Sequence, residues 1–170
     1  MRGRVIVAGF VVFLCSFSVA AGDEMGAEKA IGQVLNTLHR AASDGDGDVY
    51  FSLFAEDAIF MGTDAAERWS VDEFKAFAEP FFSEGRGWTY SMTERHIYLA
   101  ADSKTAWFDE MLWNDTYGSC RGTGVLVLVE KEWRFIQYNL SIPMPNDLTR
   151  EFTAKIKEFD GLAKAEDDSQ

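Results

Sequence analysis

A single aspartate stands among aromatic and sulfur-containing residues in TAWFDEMLW, residues 105–113. Because side chains alternate between the two faces of a strand, Asp109 shares one face with Trp107 and Met111. Burial there would penalise the ionised carboxylate, the condition under which a carboxyl group exchanges protons usefully near neutral pH. If this face points inward, Asp109 is a candidate acid/base or polar ligand anchor. The alternative is a structural carboxylate satisfied by Tyr138, Arg95 or a backbone donor.

The two histidines differ in their expected roles. His96 shares a strand face with Glu94 and Tyr98, and it would form a catalytic dyad with Asp109 if both residues face inward. Parity alone leaves that orientation open. His39 lies near the predicted end of the first helix, where the helix dipole favours a protonated imidazole. We therefore expect His39 to cap the helix.

The sequence offers no pattern typical of a metal site or a reactive nucleophile. The histidines lack His-x-His or His-x-x-x-His spacing, and DGDGD at residues 44–48 lacks the closing glutamate of a calcium loop. A helix end followed by a helix cap explains that segment better. Ser119 and Cys120 have no nearby histidine and no nucleophile-elbow motif. We expect no metal and no cofactor.

A turn is predicted at Gly62-Thr63-Asp64, between an apolar run and the start of a helix. Asp64 and Glu67 are expected to solvate this turn and the positive end of the following helix. The alternative places Thr63 and Asp64 on the rim of a pocket.

Periodicity predicts an α+β domain in which helices precede strands. Ser70 and Glu73 form a capping box, and Trp69 and Phe74 are spaced as a hydrophobic staple. The predicted helices are 27–42, 48–57, 70–81 and 146–159, and the last has an apolar stripe of Leu148, Phe152, Ile156 and Phe159. The predicted strands are a short one at 58–61 and four long ones at 88–100, 104–113, 121–130 and 133–142. Short connections between the long strands favour antiparallel pairing.

Composition narrows the possible partners. The 170 residues contain 16 Lys and Arg against 28 Asp and Glu, a formal net charge of −12. Such a charge repels nucleic acid and anionic lipid surfaces, so we expect neither as a partner. The 14 phenylalanines and 5 tryptophans are ample apolar material for a single packed core.

The first residues have the pattern of an export signal. Arg2 and Arg4 precede an apolar run that closes on small residues near Ala21, which predicts a cleaved signal peptide at 1–21. A membrane anchor is the alternative, although the run is short for a span. We expect a periplasmic or secreted protein, without stable membrane association after cleavage. Cys120 is then the only cysteine, either buried or paired between subunits. Residues 161–170 are expected to be disordered.

Several segments together resemble the SnoaL-like branch of the nuclear transport factor 2-like superfamily, which contains ketosteroid isomerases. These segments are LFAEDA, GTD, TAWF, RGTGVLVLVEKEW and WRFIQYNLS, in an order that covers residues 27–146. The resemblance implies a cone in which a curved antiparallel sheet wraps around three N-terminal helices and leaves an apolar pocket. A C-terminal helix at 147–160 follows the cone. Members of the superfamily include isomerases, cyclases, dehydratases and non-catalytic assembly domains.

The resemblance also implies which residues line the pocket. It turns the strand face of Trp107, Asp109 and Met111 inward. The other residues that it places inside the cone are Gly124, Leu126, Leu128, Ile136, Tyr138 and Leu140. Trp88, Thr63 and Asp64 complete the predicted ligand-binding set.

Steroid isomerisation by the family mechanism is disfavoured. The general base of ketosteroid isomerases falls on Gly62, their enolate-binding tyrosine falls on Leu38, and their protonated carboxyl falls near Gly124. None of these residues can perform those roles.

Two classes of function remain open. One is binding of a small apolar or aromatic molecule, with lyase- or isomerase-type chemistry at Asp109. The other is a non-catalytic dimeric assembly or interaction domain with a vestigial pocket. A cavity of roughly 300 Å³ or more that reaches Asp109 favours the first class, and a cone plugged by Trp107 and Trp88 favours the second. In both, a homodimer is expected through an outer sheet face of Val125, Val127, Val129, Trp133 and Phe135.

Overall fold

The computed structural model describes the backbone of residues 17–161 and the side chains of residues 25–161. Most of the predicted signal peptide at 1–21 and nearly all of the predicted tail at 161–170 lie outside the described residues. In the described range, no helix is both long enough and apolar enough to cross a membrane.

Helices and strands follow each other in the predicted order. The helices are α1 (Phe17–Asp44), α2 (Gly47–Ser52), α3 (Val71–Phe82) and α4 (Thr149–Phe159), with a 3-10 turn at Asn146–Leu148. The strands are β1 (Phe54–Met61), β2 (Arg68–Ser70), β3 (Ser91–Leu99), β4 (Thr105–Asn114), β5 (Gly118–Val129) and β6 (Glu132–Ser141). They form one curved sheet in the order β2-β1-β6-β5-β4-β3, with α1, α2 and α3 on one side. We call this side the helix-covered face and the opposite side the open face. The predicted α+β class is confirmed.

Local signals in the sequence set the helix boundaries. Gly45 adopts φ +68°, which ends α1, and the Asp46 carboxylate accepts a hydrogen bond from Val49 N at 3.0 Å to cap α2. The predicted capping box of Ser70 and Glu73 is present at the start of α3. These contacts confirm that DGDGD separates two helices.

The second helix is shorter than predicted. It ends at Ser52, and the following FAED belongs to β1, which pairs in parallel with β6 through Phe54–Phe135 and Phe60–Tyr138. This long-range pairing overrides the local helical pattern of residues 53–57. The same strand pairs with the three-residue β2, which the sequence did not predict.

A bulge in β6 reverses the predicted orientation of two aromatic residues. Leu126 pairs with Phe135, whereas the preceding Val125 pairs with Gln137, so Ile136 is an extra residue. As a result Trp133 and Phe135 point into the core, with 7% and 0% exposure. Their predicted place on the outer face is therefore wrong.

The C-terminal helix α4 forms as predicted, but none of its residues is buried. Its apolar stripe remains exposed, from 41% at Phe152 to 91% at Phe159.

Candidate functional site

The predicted catalytic aspartate lies on the open face of the sheet. The Asp109 side chain is 48% exposed, and its neighbour Trp107 is 45% exposed. Met111 shares that face, whereas Ala106, Phe108 and Leu112 are buried on the opposite face, where Ala106 and Phe108 belong to the hydrophobic core. The expectation that the Trp107 face of β4 lines a pocket is wrong, because the opposite face, with Ala106 and Phe108, points inward. Asp109, Trp107 and Met111 therefore lie outside the cone.

The predicted pair of His96 and Asp109 exists, but in a solvated place. The two residues are opposite each other on β3 and β4, with His96 Nδ1 3.0 Å from Asp109 Oδ2. Half of the His96 side chain is exposed, and Glu94 lies 3.5 Å from its Nε2. The pair therefore lies in contact with solvent on the open face rather than inside the cone.

A second carboxylate, one residue along β4, is buried on the helix-covered face. Glu110 is 1% exposed, and its Oε2 accepts a hydrogen bond from Arg95 Nε at 2.8 Å. Its Oε1 lies 2.7 Å from His39 Nε2. Arg95 on one oxygen and His39 on the other thus provide the polar partners that a buried carboxylate requires. We call Glu110, Arg95 and His39 the buried triad.

Helix α1 positions two members of this triad. His39 belongs to α1, which continues to Asp44, so His39 pairs with Glu110 rather than capping the helix end as predicted. Arg95 Nη1 donates to Gly32 O at 3.2 Å and to Asn36 Oδ1 at 2.8 Å, both on α1. The triad thus ties the first helix to β3 and β4.

Tyr138 lies against the buried triad. A Cβ atom on Gly122 would approach Tyr138 Oη to 2.7 Å and Glu110 Oε1 to 3.1 Å, so only glycine fits between the two groups. Burial raises the pKa of Tyr138 well above its usual value, and the nearby Glu110 carboxylate raises it further. The phenol therefore remains protonated at neutral pH and can donate a hydrogen bond.

An aromatic cavity of about 190 Å³ lies at the end of the cone where β1 and β6 finish. It opens beside the turn that connects β1 to β2. Its lining residues are mainly aromatic: Phe60, Trp69, Phe74, Phe77, Trp88, Tyr90 and Tyr117, with Gly62, Thr63, Glu67 and Leu140. We call this space the aromatic cavity.

The walls of the aromatic cavity are preorganised by ring stacking. Phe60 stacks on Phe74 with ring centroids 3.8 Å apart, and Trp69 stacks on Phe77 at 4.8 Å. Burial raises the pKa of Tyr90 to about 12, so this wall residue keeps its proton at neutral pH. The walls therefore offer flat apolar surfaces and a phenol.

The predicted ligand-binding residues divide into four places. Thr63 and Trp88 line the aromatic cavity. Asp64 instead accepts a hydrogen bond from Ala66 N at 2.8 Å within the turn. Tyr138 is 3% exposed and stacks behind Phe60 at 5.5 Å. Trp107 and Met111 are on the open face, as described above.

The sequence contains a signal for the burial of Glu110, which is the composition of the two faces of β4. Glu110 alternates with Ala106, Phe108 and Leu112, all small or fully apolar, whereas Asp109 shares its face with the polar Thr105. A charged residue on the more apolar face of a strand is the stronger candidate for burial with a partner. Glu67, Tyr90 and Tyr117 carry no such signal, because the fold alone brings them together.

Two further hollows adjoin other parts of the cone. One, of about 320 Å³, lies beside the aromatic cavity and shares Trp88, Tyr90 and Tyr117 with it. The other, of about 660 Å³, is an open groove between α2, β1 and α3 at the start of β1. Among the described side chains, those of residues 25–161, no three His, Cys, Asp or Glu residues are grouped to hold a metal ion.

Solved structures share this cone fold at low sequence identity. A candidate scytalone dehydratase from Novosphingobium aromaticivorans has a TM-score of 0.61 and 14% identity, over 73% of this chain and 89% of that one. A candidate aromatic ring hydroxylase from the same organism has a TM-score of 0.59 and 17% identity, over 71% and 92%. An NTF2-like protein of unknown function from Pseudomonas putida KT2440 has a TM-score of 0.60 and 16% identity, over 72% and 91%.

These likenesses support the fold and leave the activity open. A search of curated protein sequences finds no match. The family model of the SnoaL-like domain, in contrast, matches residues 31–145, from the middle of α1 to the end of the segment after β6. The chain therefore belongs to the SnoaL-like domain family.

Proposed function

We propose that this protein binds a small, largely apolar molecule in the aromatic cavity. The observation that carries the proposal is a preformed space of about 190 Å³ with seven aromatic side chains in its walls. Ligand sites are typically concave, mainly apolar, and equipped with a few polar groups that orient the ligand. Thr63, Tyr90 and Glu67 are such groups here.

The volume limits the size of the ligand. The cavity is smaller than the roughly 300 Å³ that favours a drug-sized ligand, and it does not reach Asp109. An apolar cavity of about 150 Å³ is nevertheless large enough to bind benzene. We therefore infer a ligand with a single ring, or an aliphatic molecule of similar size.

Binding without acid–base catalysis at Asp109 fits the geometry best. Asp109 is separated from the aromatic cavity by the thickness of the sheet, since it lies on the open face. The buried triad lies on the helix-covered face, but both carboxylate oxygens of Glu110 are already engaged by Arg95 and His39. The proposed function therefore assigns no proton transfer to either carboxylate.

Phenol binding to matched variants tests the proposal. Phe77 and Phe81 lie one helical turn apart on α3 and are 46% and 37% exposed, but only Phe77 lines the cavity. We expect phenol to bind the wild type in calorimetric titration, and Phe77→Ala to weaken binding about tenfold through loss of an aromatic contact. Phe81→Ala should leave binding unchanged. Absence of phenol binding, or equal loss in both variants, would contradict the proposal.

We also propose a homodimer through the open face. Tyr98 stacks on Trp107 at 5.6 Å, and the two are 42% and 45% exposed beside Val125 and Val127. Exposed aromatic pairs on a sheet are typical of interface centres. Light scattering after size exclusion should give a dimer for the wild type and a monomer for Trp107→Asp. Phe81→Asp, an exposed aromatic residue on α3, is the control and should remain a dimer. A monomeric wild type would contradict this proposal.

A further inference from the structure

The charged residues that line the two spaces at the aromatic end of the cone are both carboxylates. Glu67 is the only formally charged residue that lines the aromatic cavity. Asp115 is the only one that lines the adjoining hollow. The groove at the other end differs, because Lys75 and Arg134 lie there together with four carboxylates. Among the described residues, these two adjacent spaces thus lack a basic lining residue.

Glu67 is held at the cavity wall without a compensating cation. Its Oε2 accepts a hydrogen bond from Asp64 N at 3.1 Å, which fixes the carboxylate beside the turn. The carboxylate occupies the space that a side chain at position 62 would fill. Glycine at that position therefore leaves room for the Glu67 side chain. Glu67 forms no ion pair with any side chain of residues 25–161.

The aromatic walls suit a positive charge as well as an apolar body. A cation within about 6 Å of the face of a Trp, Tyr or Phe ring is attracted to the ring, and the attraction is stronger when the cation is desolvated. Trp69 and Trp88 both line the cavity, and Trp has the most favourable face. The net charge of −12 adds a long-range attraction for cations.

An anionic ligand would meet the opposite conditions. Its charge would approach the Glu67 carboxylate in a partly enclosed space that has no lysine or arginine in its lining. Like charges at short range repel each other, and the repulsion is stronger where water is partly excluded. Neutral ligands avoid this repulsion but leave the Glu67 charge without a partner.

We propose that the aromatic cavity takes an organic cation, a small alkylammonium or arylammonium compound whose positive group faces Glu67 and the indole rings. This inference rests on the proposed function, since it names the chemical class of the ligand for the same cavity.

A matched pair of probes tests the charge. Choline and 3,3-dimethylbutan-1-ol have nearly the same shape, and they differ in that a positive nitrogen replaces a carbon atom. Calorimetric titration at low ionic strength should show choline binding at least tenfold more tightly. Glu67→Gln preserves the acceptor for Asp64 N and should weaken choline binding about tenfold without changing the affinity for the alcohol. Glu94→Gln, an exposed residue on the open face, is the control and should change neither affinity.

The outcomes separate this inference from the proposed function. If the alcohol binds as tightly as choline, or if Glu67→Gln has no effect, the cation preference is wrong while the cavity remains a binding site. If Glu94→Gln weakens choline binding as much as Glu67→Gln, the cation is bound by the acidic surface and the inference fails. If neither probe binds and phenol also fails to bind, the proposed function falls with it. Urea unfolding of each variant establishes that the fold is intact.

Discussion

Two histidine–carboxylate pairs lie on opposite faces of the same sheet, and adjacent residues of β4 provide their carboxylates. Asp109 pairs with His96 at 3.0 Å where both side chains are about half exposed. Glu110 pairs with His39 at 2.7 Å where the carboxylate is fully buried, and Arg95 completes the set. The chemistry of the two pairs is similar. Their consequences for the molecule differ because water surrounds one pair and is excluded from the other.

The comparison shows that proximity of titratable groups is a poor guide to importance. An exposed ion pair gains little, since solvent screens its charges and the side chains lose freedom. A buried pair is costly to form but is strongly destabilising to break, because the remaining charge has no partner. The buried triad therefore specifies how α1 docks on the sheet, whereas the exposed pair contributes little to stability.

The largest effect is expected from Glu110→Gln. This change removes the charge that neutralises Arg95, whose side chain is only 9% exposed. Loss of one partner from a buried ion pair typically costs about 3–5 kcal/mol. We expect a decrease of that size in the free energy of unfolding, measured by urea titration.

A double variant checks the cause of this loss. In Glu110→Gln with Arg95→Met, the unpaired buried charge is also removed, so most of the stability should return. If the double variant is less stable than Glu110→Gln alone, the uncompensated charge is not the reason for the loss.

Smaller decreases in the free energy of unfolding are expected from substitutions at the two β5 residues that lie opposite these carboxylates. Gly122 is opposite Glu110, and Thr123 is opposite Asp109. Gly122→Ala places a methyl group 2.7 Å from Tyr138 Oη, so overpacking should cost about 1–3 kcal/mol. Thr123→Ala on the open face should change the free energy of unfolding by less than about 0.5 kcal/mol. Equal losses in the two variants would show that Gly122 is not a spacer.

Alkaline pH provides a third contrast, directed at the buried side. Burial raises the pKa of Tyr138, whereas a tyrosine in the unfolded chain titrates near 10. The native state therefore keeps a proton that the unfolded state loses, so stability is complete below about pH 10 and is lost as pH rises above it. Tyr138→Phe should reduce the loss of unfolding free energy between pH 9 and about pH 11. An unchanged slope would exclude Tyr138 as a source of the dependence.

The sequence predicted the architecture better than it predicted the site. Three N-terminal helices, the strand order along the chain and the capping box at Ser70 all follow from local periodicity and local hydrogen bonds. These features depend on neighbours in sequence. The end of α2 was missed because FAED pairs with β6, which follows more than seventy residues later.

The location of the site depends on which face of each strand points into the cone, and the alternation of side chains does not determine this. Alternation correctly separates the residues of β4 into two faces, but it does not show which face points inward. The buried carboxylate is Glu110, not the predicted Asp109. In β6 the bulge at Ile136 reversed the parity partway along the strand, which no local pattern signalled. The residues of the aromatic cavity come from five separate segments, so only the tertiary fold places Glu67 beside Trp88 and Tyr90.

The smallest decrease in the free energy of unfolding is expected from Asp109→Asn, which removes one charge of the exposed pair. The substitution keeps the shape of the side chain and removes a charge that already contacts water, so the cost should be below about 1 kcal/mol. Whatever loss appears should shrink further in 0.5 M salt, where the Debye length is only about 3–10 Å. Urea unfolding at low and high salt measures both values. A loss of 3 kcal/mol or more, insensitive to salt, would mean that a partner copy buries this pair, since only exclusion of water gives a solvated ion pair the energetics of the buried triad.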